Sequence, residues 1–552
     1  MSGPAGTLGG MSDVLRARGL MKTYRRGRAV DGVDLTVRPG ERVALLGPNG
    51  AGKTTTLLMC LGVVEPDGGT VEVVGHRLPK GRSAAMARVG FAAGYLPLPE
   101  RLRVREYLRM YGQLYGLADP DEQAARGLAR FGVPHLSRAM GTELSSGQKT
   151  LVGIVKSTMH EPELLVLDEP TASLDPDVAM RVRTGLSALC EERGTALLVT
   201  SHNMLEVERI AERGDLPVGR PRGRRRPAGR GCRPLRARRP GGGLPALGRT
   251  APGQRARRGD AAMTAAGYGE PRGAASMDPA LRVSLARAPW LRMWAIARRH
   301  AYVLYRSPHR LFDVTVWPIV DTVLFGSLGV FFARQGGPNT AAQAGVAYLL
   351  SGIVLWHVVY QAQIAVSTGF MEETWSRNLL SLMVTPLKEL ELVAGIAIFG
   401  LAKLVMGVGV VALAAFALYA FDITGLGIGL LPVIAILLVG GWAIALFVVG
   451  LMLRFGNGAE ALAWGIMFVV MPLGGVFYPV EALPAVVRPV SRLLPTTHAF
   501  AAGRRLIGGG PIPWGELGLA AAGTLVAVAA ALAFLAWMLR LFRRRGYVTR
   551  YS

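Results

Sequence analysis

The apolar run Val43 to Leu46 ends in Gly47, Pro48, Asn49, Gly50, Ala51, Gly52, Lys53, Thr54 and Thr55, and this stretch constrains the chain more than any other. It fits the template G-x-x-x-x-G-K-[ST]: a buried strand runs into a glycine-rich turn, and a helix opens behind it at Thr54. Gly50 and Gly52 let backbone N–H groups wrap an anion, and the helix N-terminus adds a favourable dipole. Lys53 is placed to reach β- and γ-phosphates, and the Thr54 hydroxyl to ligate Mg2+. A chance glycine-rich turn is the bland reading, but strand, loop and helix together argue against it. The chain is expected to bind a nucleoside triphosphate.

The residues around this loop extend the pattern. Leu15 to Tyr24 and Val30 to Val37 read as strands of a leading sheet, and Gly69 to Val74 as another. Tyr24 precedes the phosphate loop, where an aromatic ring serves adenine stacking or plain packing equally well. Leu144-Ser-Ser-Gly-Gln148 precedes a helix-like segment, and Leu164-Leu-Val-Leu-Asp168-Glu169 reads as a buried strand ending in two acids. A carboxylate at the end of such a strand suits Mg2+ coordination by Asp168, and Glu169 can accept a proton from an attacking water.

Phosphate loop, Leu144 to Gln148, Leu164 to Pro170, Ser173 to Pro176 and Thr200 to His202 follow one another in the order of an ABC-transporter ATPase domain, which residues 14–213 resemble. The resemblance implies an α/β P-loop NTPase fold, ATP and Mg2+ as cofactors, and Tyr24 as the aromatic that stacks on adenine. It also implies that Ser145 and Gly147 contact the γ-phosphate of ATP held by a second copy. Asp175 would couple the two sites and His202 would sense the γ-phosphate, so a homodimer is implied. Two departures stand out. Ser146 replaces the first of two glycines usual in the signature. The glutamine that usually senses Mg2+ and the membrane domain is missing, and its place falls at Gly94. ATPase activity is expected nonetheless.

After Arg213 the text changes. Residues 214–262 are almost entirely Gly, Pro, Arg, Ala and Leu, which reads as a flexible basic linker or as translation out of frame. Shifted by one base, the codons for Gly214 to Pro217 permit Val-Ile-Phe-Leu, and those for Arg239 to Gly248 permit Asp-Leu-Glu-Glu-Val-Phe-Leu-His-Leu-Ala. Met263-Thr264 must be ATG-ACN, and the shifted frame reads TGA there, a stop overlapping a start. Two adjacent genes fused by a one-base insertion near Arg213 are therefore expected. The ATPase domain would then lack a core strand and hairpin, leaving a sheet edge unpaired. This segment holds 14 Arg against two Asp, about half of the formal charge of +25, so the basic balance is no argument for nucleic acid as a partner.

The rest, residues 263–552, is largely apolar. Trp290 to Tyr305 reads as an interfacial helix. Six spanning candidates follow: Phe312 to Phe332, Ala344 to Thr368, Leu392 to Phe421, Leu430 to Leu453, Ala459 to Tyr478 and Leu517 to Phe542. Arg298, Arg299 and Arg306 before the first, and Arg540, Arg543, Arg544 and Arg545 after the last, put both ends in the cytoplasm. Arg488, Arg492, Arg504 and Arg505 fall outside, in an interrupted segment Val480 to Pro513 expected to re-enter the outer leaflet. Asp313 and Asp321 must face protein or a pore, as packing glue or as substrate contacts.

Gly475-Val-Phe-Tyr-Pro-Val-Glu481 and Pro495-Thr-Thr-His-Ala-Phe500 resemble an ABC-2 type permease, with nodulation-type and daunorubicin-type exporters nearest. Arg377 to Pro386 resembles the cytoplasmic helix by which such permeases dock on their ATPase. The expected fold is an α/β P-loop NTPase domain over 1–213, a linker over 214–262 and an all-α membrane domain with six transmembrane helices over 263–552. The expected function is ATP-driven export of an amphipathic small molecule, drug or lipid-linked saccharide across the cytoplasmic membrane, in contact with membrane lipid. The rivals are an ATP-binding regulatory or resistance protein without transport, and a non-functional fusion product.

Overall fold

The computed structural model describes residues 13–25, 27–172, 174–201, 213–215, 287–335, 340–421, 428–507 and 510–546. The expected switch residue His202, Ser173 and nearly all of the 214–262 segment lie outside the described residues.

Strands β1 (Leu15–Tyr24), β2 (Gly27–Val37), β4 (Gly68–Val73) and the two-residue β5 (His76–Arg77) form an antiparallel sheet in the order β2-β1-β4-β5. A second, parallel sheet runs β6-β7-β8-β3-β9, built from β3 (Arg42–Leu46), β6 (Val89–Ala93), β7 (Leu164–Asp168), β8 (Ala196–Ser201) and β9 (Arg213–Asp215). β6, β7 and β8 are buried at every residue, as continuous apolar runs covered on both faces should be. Helices α1 (Lys53–Cys60), α2 (Arg82–Met86), α3 (Val104–Leu114), α4 (Pro120–Arg130), α5 (Ser146–Thr158) and α6 (Pro176–Arg193) complete this half. The loops that leave the carboxyl ends of β3, β6 and β7 converge, and in parallel sheets that end is where ligands bind.

β9 bears on the unpaired edge anticipated after Arg213. Its three residues pair in parallel with Val43, Ala44 and Leu45 of β3, so the strand crosses residue 213 and covers part of that edge. The edge is shortened rather than bare.

The second half is helical. α7 (Ala288–Tyr305) bridges the two halves, packing on α3 from one side and on α11 from the other. Arg299 on its basic face is buried and ion-paired with Glu373. Then follow α8 (Pro308–Gln335), α9 (Thr340–Trp375), the short α10 (Leu379–Met383), α11 (Glu389–Tyr419), α12 (Leu431–Phe455), α13 (Glu460–Leu473), α14 (Arg488–Leu493), α15 (Pro495–Ile507) and α16 (Trp514–Arg545).

Among the described residues five helices are long and apolar enough to cross a membrane: α8, α9, α11, α12 and α16. The remaining expected span, Ala459 to Tyr478, is realised only as the 14-residue α13. At 1.5 Å per residue it reaches about 21 Å, short of a hydrocarbon core of about 30 Å. Pro472 lies in its last turn, and Gly475 at φ +67° reverses the chain. Three of the four arginines beyond it make internal contacts, while Arg492 is exposed. Arg504 donates to the carbonyls of Gly475 and Val476 and stacks over Tyr348, Arg488 donates to Leu483 and Glu481, and Arg505 pairs with Glu516. Asp321 meets His357 of α9 across 3.4 Å and so faces protein; the side chain of Asp313 lies outside the described residues.

Candidate nucleotide site and its link to the membrane half

The phosphate loop joins β3 to α1 at the exposed end of the parallel sheet. Gly47, Gly50 and Gly52 all have positive φ, and at Gly52 the requirement is absolute: a Cβ there would lie 2.3 Å from the Ala29 carbonyl oxygen. Pro48, Asn49 and Gly50 are exposed, while Ala51 and Gly52 are half-buried. Ala51 N–H donates back to the Pro48 carbonyl at 3.1 Å and closes the turn. Lys53 is buried and folds over the loop, its Nζ donating to the carbonyls of Gly47 at 2.6 Å and Pro48 at 3.4 Å. An ammonium held by two neutral carbonyls is ready to exchange them for phosphate oxygens.

Asp168, at the end of β7, stands opposite. Its Oδ2 accepts from the Thr54 hydroxyl at 3.2 Å and its Oδ1 from Thr200 of β8. Burial raises the Asp168 pKa from its ordinary value, and the hydroxyls of Thr200 and Thr54 pull it back. Thr54 and Asp168 thus bring two hard oxygen donors together beside the loop, a donor set that suits Mg2+. Glu169 is half-buried with its backbone in the left-handed region at φ +49°. Its N–H is held by the carbonyl and hydroxyl of Thr200, which turns the chain sharply off the strand.

Lys53, Thr54, Thr55, Asp168 and Glu169 therefore gather at one sheet end. Ser145 and Gly147 do not join them. Ser145 caps α5, accepting from Gln148 N–H at 3.2 Å while the Gln148 side chain accepts from Ser145 N–H at 3.0 Å. α5 packs mainly on β6, α3 and α4, and Ser145 is exposed. Asp175 is likewise exposed, at the start of α6. Tyr24 packs against Gly546, the residue capping α16: a methyl group on Gly546 would lie 2.8 Å from the tyrosine ring and hydroxyl. The end of α16 is fastened there, with Lys22 Nζ donating to the Arg544 carbonyl at 2.6 Å and Glu65 N–H to the Arg543 carbonyl at 3.1 Å.

The sequence reading named Thr200 only as the first residue of its motif and gave it no role. Thr200 sits in register with Asp168 across β7 and β8, and only that register shows it to be a partner of the carboxylate.

The segment after α9 seats on the ATPase-like half. α10 is buried, and Arg82 of α2 donates to the carbonyls of Met383, Thr385 and Leu387 and to Glu389. Ser83 donates to the Pro386 carbonyl at 2.5 Å, and Tyr111 to Asn378 at 3.2 Å. Nearby, Arg306 makes a two-pronged pair with Glu106 at 2.6 and 2.7 Å.

With this geometry in place, three family models match: "ABC transporter" over residues 30–172, "ABC-2 family transporter protein" over residues 334–538, and, over the shorter stretch 138–208, "AAA domain, putative AbiEii toxin, Type IV TA system". Residues 30–172 are thus similar to the ATPase domain of ABC transporters and residues 334–538 to ABC-2 family transporter proteins. Among curated relatives, the Nod factor export ATP-binding protein I of Paraburkholderia xenovorans is 38% identical over 194 residues, covering 35% of this chain and 64% of that protein. The linearmycin resistance ATP-binding protein LnrL of Bacillus subtilis is 34% identical over 202 residues, covering 36% of this chain and 65% of that protein. The chain thus spans just under two thirds of these relatives. A solved ATP-binding subunit of an ABC transporter aligns with TM-score 0.35 at 28% identity, over 37% of this chain and 85% of that one.

Proposed function

We propose that this chain is an ATP-driven exporter of the cytoplasmic membrane that works as a homodimer, two ATPase domains closing on two ATP molecules. ATP hydrolysis coupled to transport is the activity of the ABC family to which residues 30–172 are similar. The observation that carries the reading is the seating of α10 under Arg82, which ties the ATPase domain to the spans.

In this reading Lys53 leaves the carbonyls of Gly47 and Pro48 to hold the γ-phosphate, while Tyr24 lies along the adenine. Mg2+, held by Thr54 and Asp168, would supply charge neutralisation on the phosphate oxygens. Glu169 orients water and takes its proton. The exposed Ser145 and the half-buried Gly147 meet the nucleotide of the second copy, Asp175 couples the two sites and His202 senses the γ-phosphate. Lys and Arg at both ends of the membrane half support cytoplasmic termini and ATPase domain. The relatives' printed roles, Nod factor export and linearmycin resistance, support an amphipathic small molecule, drug or lipid-linked saccharide as cargo.

Inverted membrane vesicles given ATP and a lipophilic dye in the outer medium test this. The wild type should accumulate dye, and Glu169→Gln should bind nucleotide yet accumulate none. A wild type that binds nucleotide without moving any amphipathic cargo would instead favour a regulatory or resistance role without transport.

A further inference from the structure

The last turn of α16 is closed by the other half of the chain. An α-helix ends with four carbonyls that have no partner inside it. Here the Arg544 carbonyl accepts from Lys22 Nζ at 2.6 Å, and the Arg543 carbonyl accepts from Glu65 N–H at 3.1 Å. Lys22 is buried, and its other two donors go to the Glu65 carbonyl at 2.6 Å and to Asp67 at 2.8 Å, so the ammonium is saturated. A cation at this helix end also meets the negative pole of the macrodipole. Beside the cap, Arg544 Nε reaches Glu65 at 3.3 Å, and Arg543 pairs with Glu389, the carboxylate that Arg82 shares at 3.1 Å. Gly546 then turns the chain at φ +60° against Tyr24, where a Cβ would stand 2.8 Å from both Cε1 and the hydroxyl. The same ring has Lys22 Nζ at 5.9 Å from its centroid, within reach of a cation–π contact. Protein thus engages Tyr24 at the place where adenine stacking needs it open.

We propose that the end of α16 and the adenine base compete for Tyr24, which makes this helix end an autoinhibitory latch on the nucleotide site. The inference rests on the reading of Tyr24 as the adenine shelf. A base lying along the ring displaces Gly546, and the cap formed by Lys22 and Glu65 opens with it. The cap is breakable because little is orphaned: Lys22 keeps the Glu65 carbonyl and Asp67, and the two freed carbonyls pass to water at the helix tip. Lys53, Thr54 and Asp168 bond within the phosphate loop and the strand ends, so the latch bears on the base rather than on the phosphates. Arg543 moves with the tip, and Glu389 is then left to Arg82, so release at the base is felt at the seat of α10.

Glu65→Cys with Arg544→Cys places two thiols across the latch of the detergent-solubilised full chain, with Cys232 changed to Ser and the buried Cys60 and Cys190 left in place. Oxidation by copper phenanthroline holds the tip down, and dithiothreitol frees it. By calorimetric titration the oxidised form should bind ATP at least tenfold more weakly, with the affinity restored on reduction. Inorganic triphosphate, which needs the phosphate loop and no base, should bind both forms alike. ATP should in turn slow disulfide formation, and inorganic triphosphate should not. Arg544→Glu sets like charges across the same contact and should tighten ATP about two- to threefold, the size of an exposed ion pair. Equal ATP affinity in the oxidised and reduced forms overturns the proposal, as does equal weakening of ATP and inorganic triphosphate, which marks general distortion. Tighter ATP binding in the oxidised form also overturns it and makes the tip part of the base pocket. Tyr24→Ala separates the two layers: if it binds ATP like the wild type, the adenine-shelf reading itself fails.

Discussion

An Arg82→Ala substitution strips the donor from three backbone carbonyls, Met383, Thr385 and Leu387, and from the Glu389 carboxylate. Arg82 is only 4% exposed, so water does not simply take its place. Each buried acceptor left dry costs about 1–3 kcal/mol, and water admitted to the cleft recovers part of it, so the docking of α10 should weaken by about 3–5 kcal/mol. Glu389 keeps Arg543 as a partner, and Ser83 and Tyr111 still hold Pro386 and Asn378, which is why the seat loosens rather than vanishes. None of Arg82's hydrogen bonds reaches Lys53, Thr54 or Asp168. In inverted vesicles the ATPase rate should therefore stay within about twofold while dye moved per ATP falls by tenfold or more, as a loss above about 1.4 kcal/mol allows. Arg82→Lys should fall between, because an ammonium cannot fork to several carbonyls at once. Unchanged transport per ATP in Arg82→Ala would refute the reasoning; so would equal loss of ATPase and transport.

Gly52→Ala forces a Cβ to 2.3 Å from the Ala29 carbonyl oxygen at a φ of +87°, so nucleotide affinity should drop at least tenfold by fluorescence titration. Lys156 is 2% exposed beneath the Tyr111 ring, and burial pulls its pKa down to about 8 from an ordinary 10.5. Between those two values the unfolded chain binds more protons than the folded one, so stability should rise with pH by about 3 kcal/mol across the window. Below about pH 8 the ammonium is buried at full cost, so Lys156→Met should raise Tm there and flatten the rise; a wild-type Tm that does not climb between pH 8 and 10 relative to the variant would contradict this. Thr200→Val removes a hydroxyl from both Asp168 and Glu169 N–H and should lower kcat about tenfold or more with little change in Mg2+-free nucleotide affinity.

What the sequence made legible was chemistry carried by neighbours in the chain. The phosphate loop declares itself because Gly47 to Thr55 act through their own backbone and their immediate helix. Asp168 and Glu169 were legible because a strand end is a local feature. The role of Thr200 was not, since its link to Asp168 passes through the β7–β8 register, and register has no local signature in continuous apolar runs. The shortened α13 escaped for a different reason: Ala459 to Tyr478 is apolar throughout, and hydropathy does not see the Pro472 and Gly475 that end the helix. β9 escaped because its three residues sit where composition turns to glycine and arginine, while backbone pairing to β3 asks nothing of side chains.

The 32 residues of α16 rise about 48 Å at 1.5 Å each, against a hydrocarbon slab of about 30 Å. Roughly a third of the helix is therefore more than an upright span needs, and its cytoplasmic-side end is pinned to Lys22, Glu65 and the ring of Tyr24. A rod fixed at one end and gripped by the bilayer along its length transmits any change in bilayer thickness to its fixed end. In thicker lipid it must straighten and pull, and in thinner lipid it must tilt and push. Tyr24, the proposed shelf for the base, is where that strain arrives, so the same chain should handle nucleotide differently in short-chain and long-chain phospholipid.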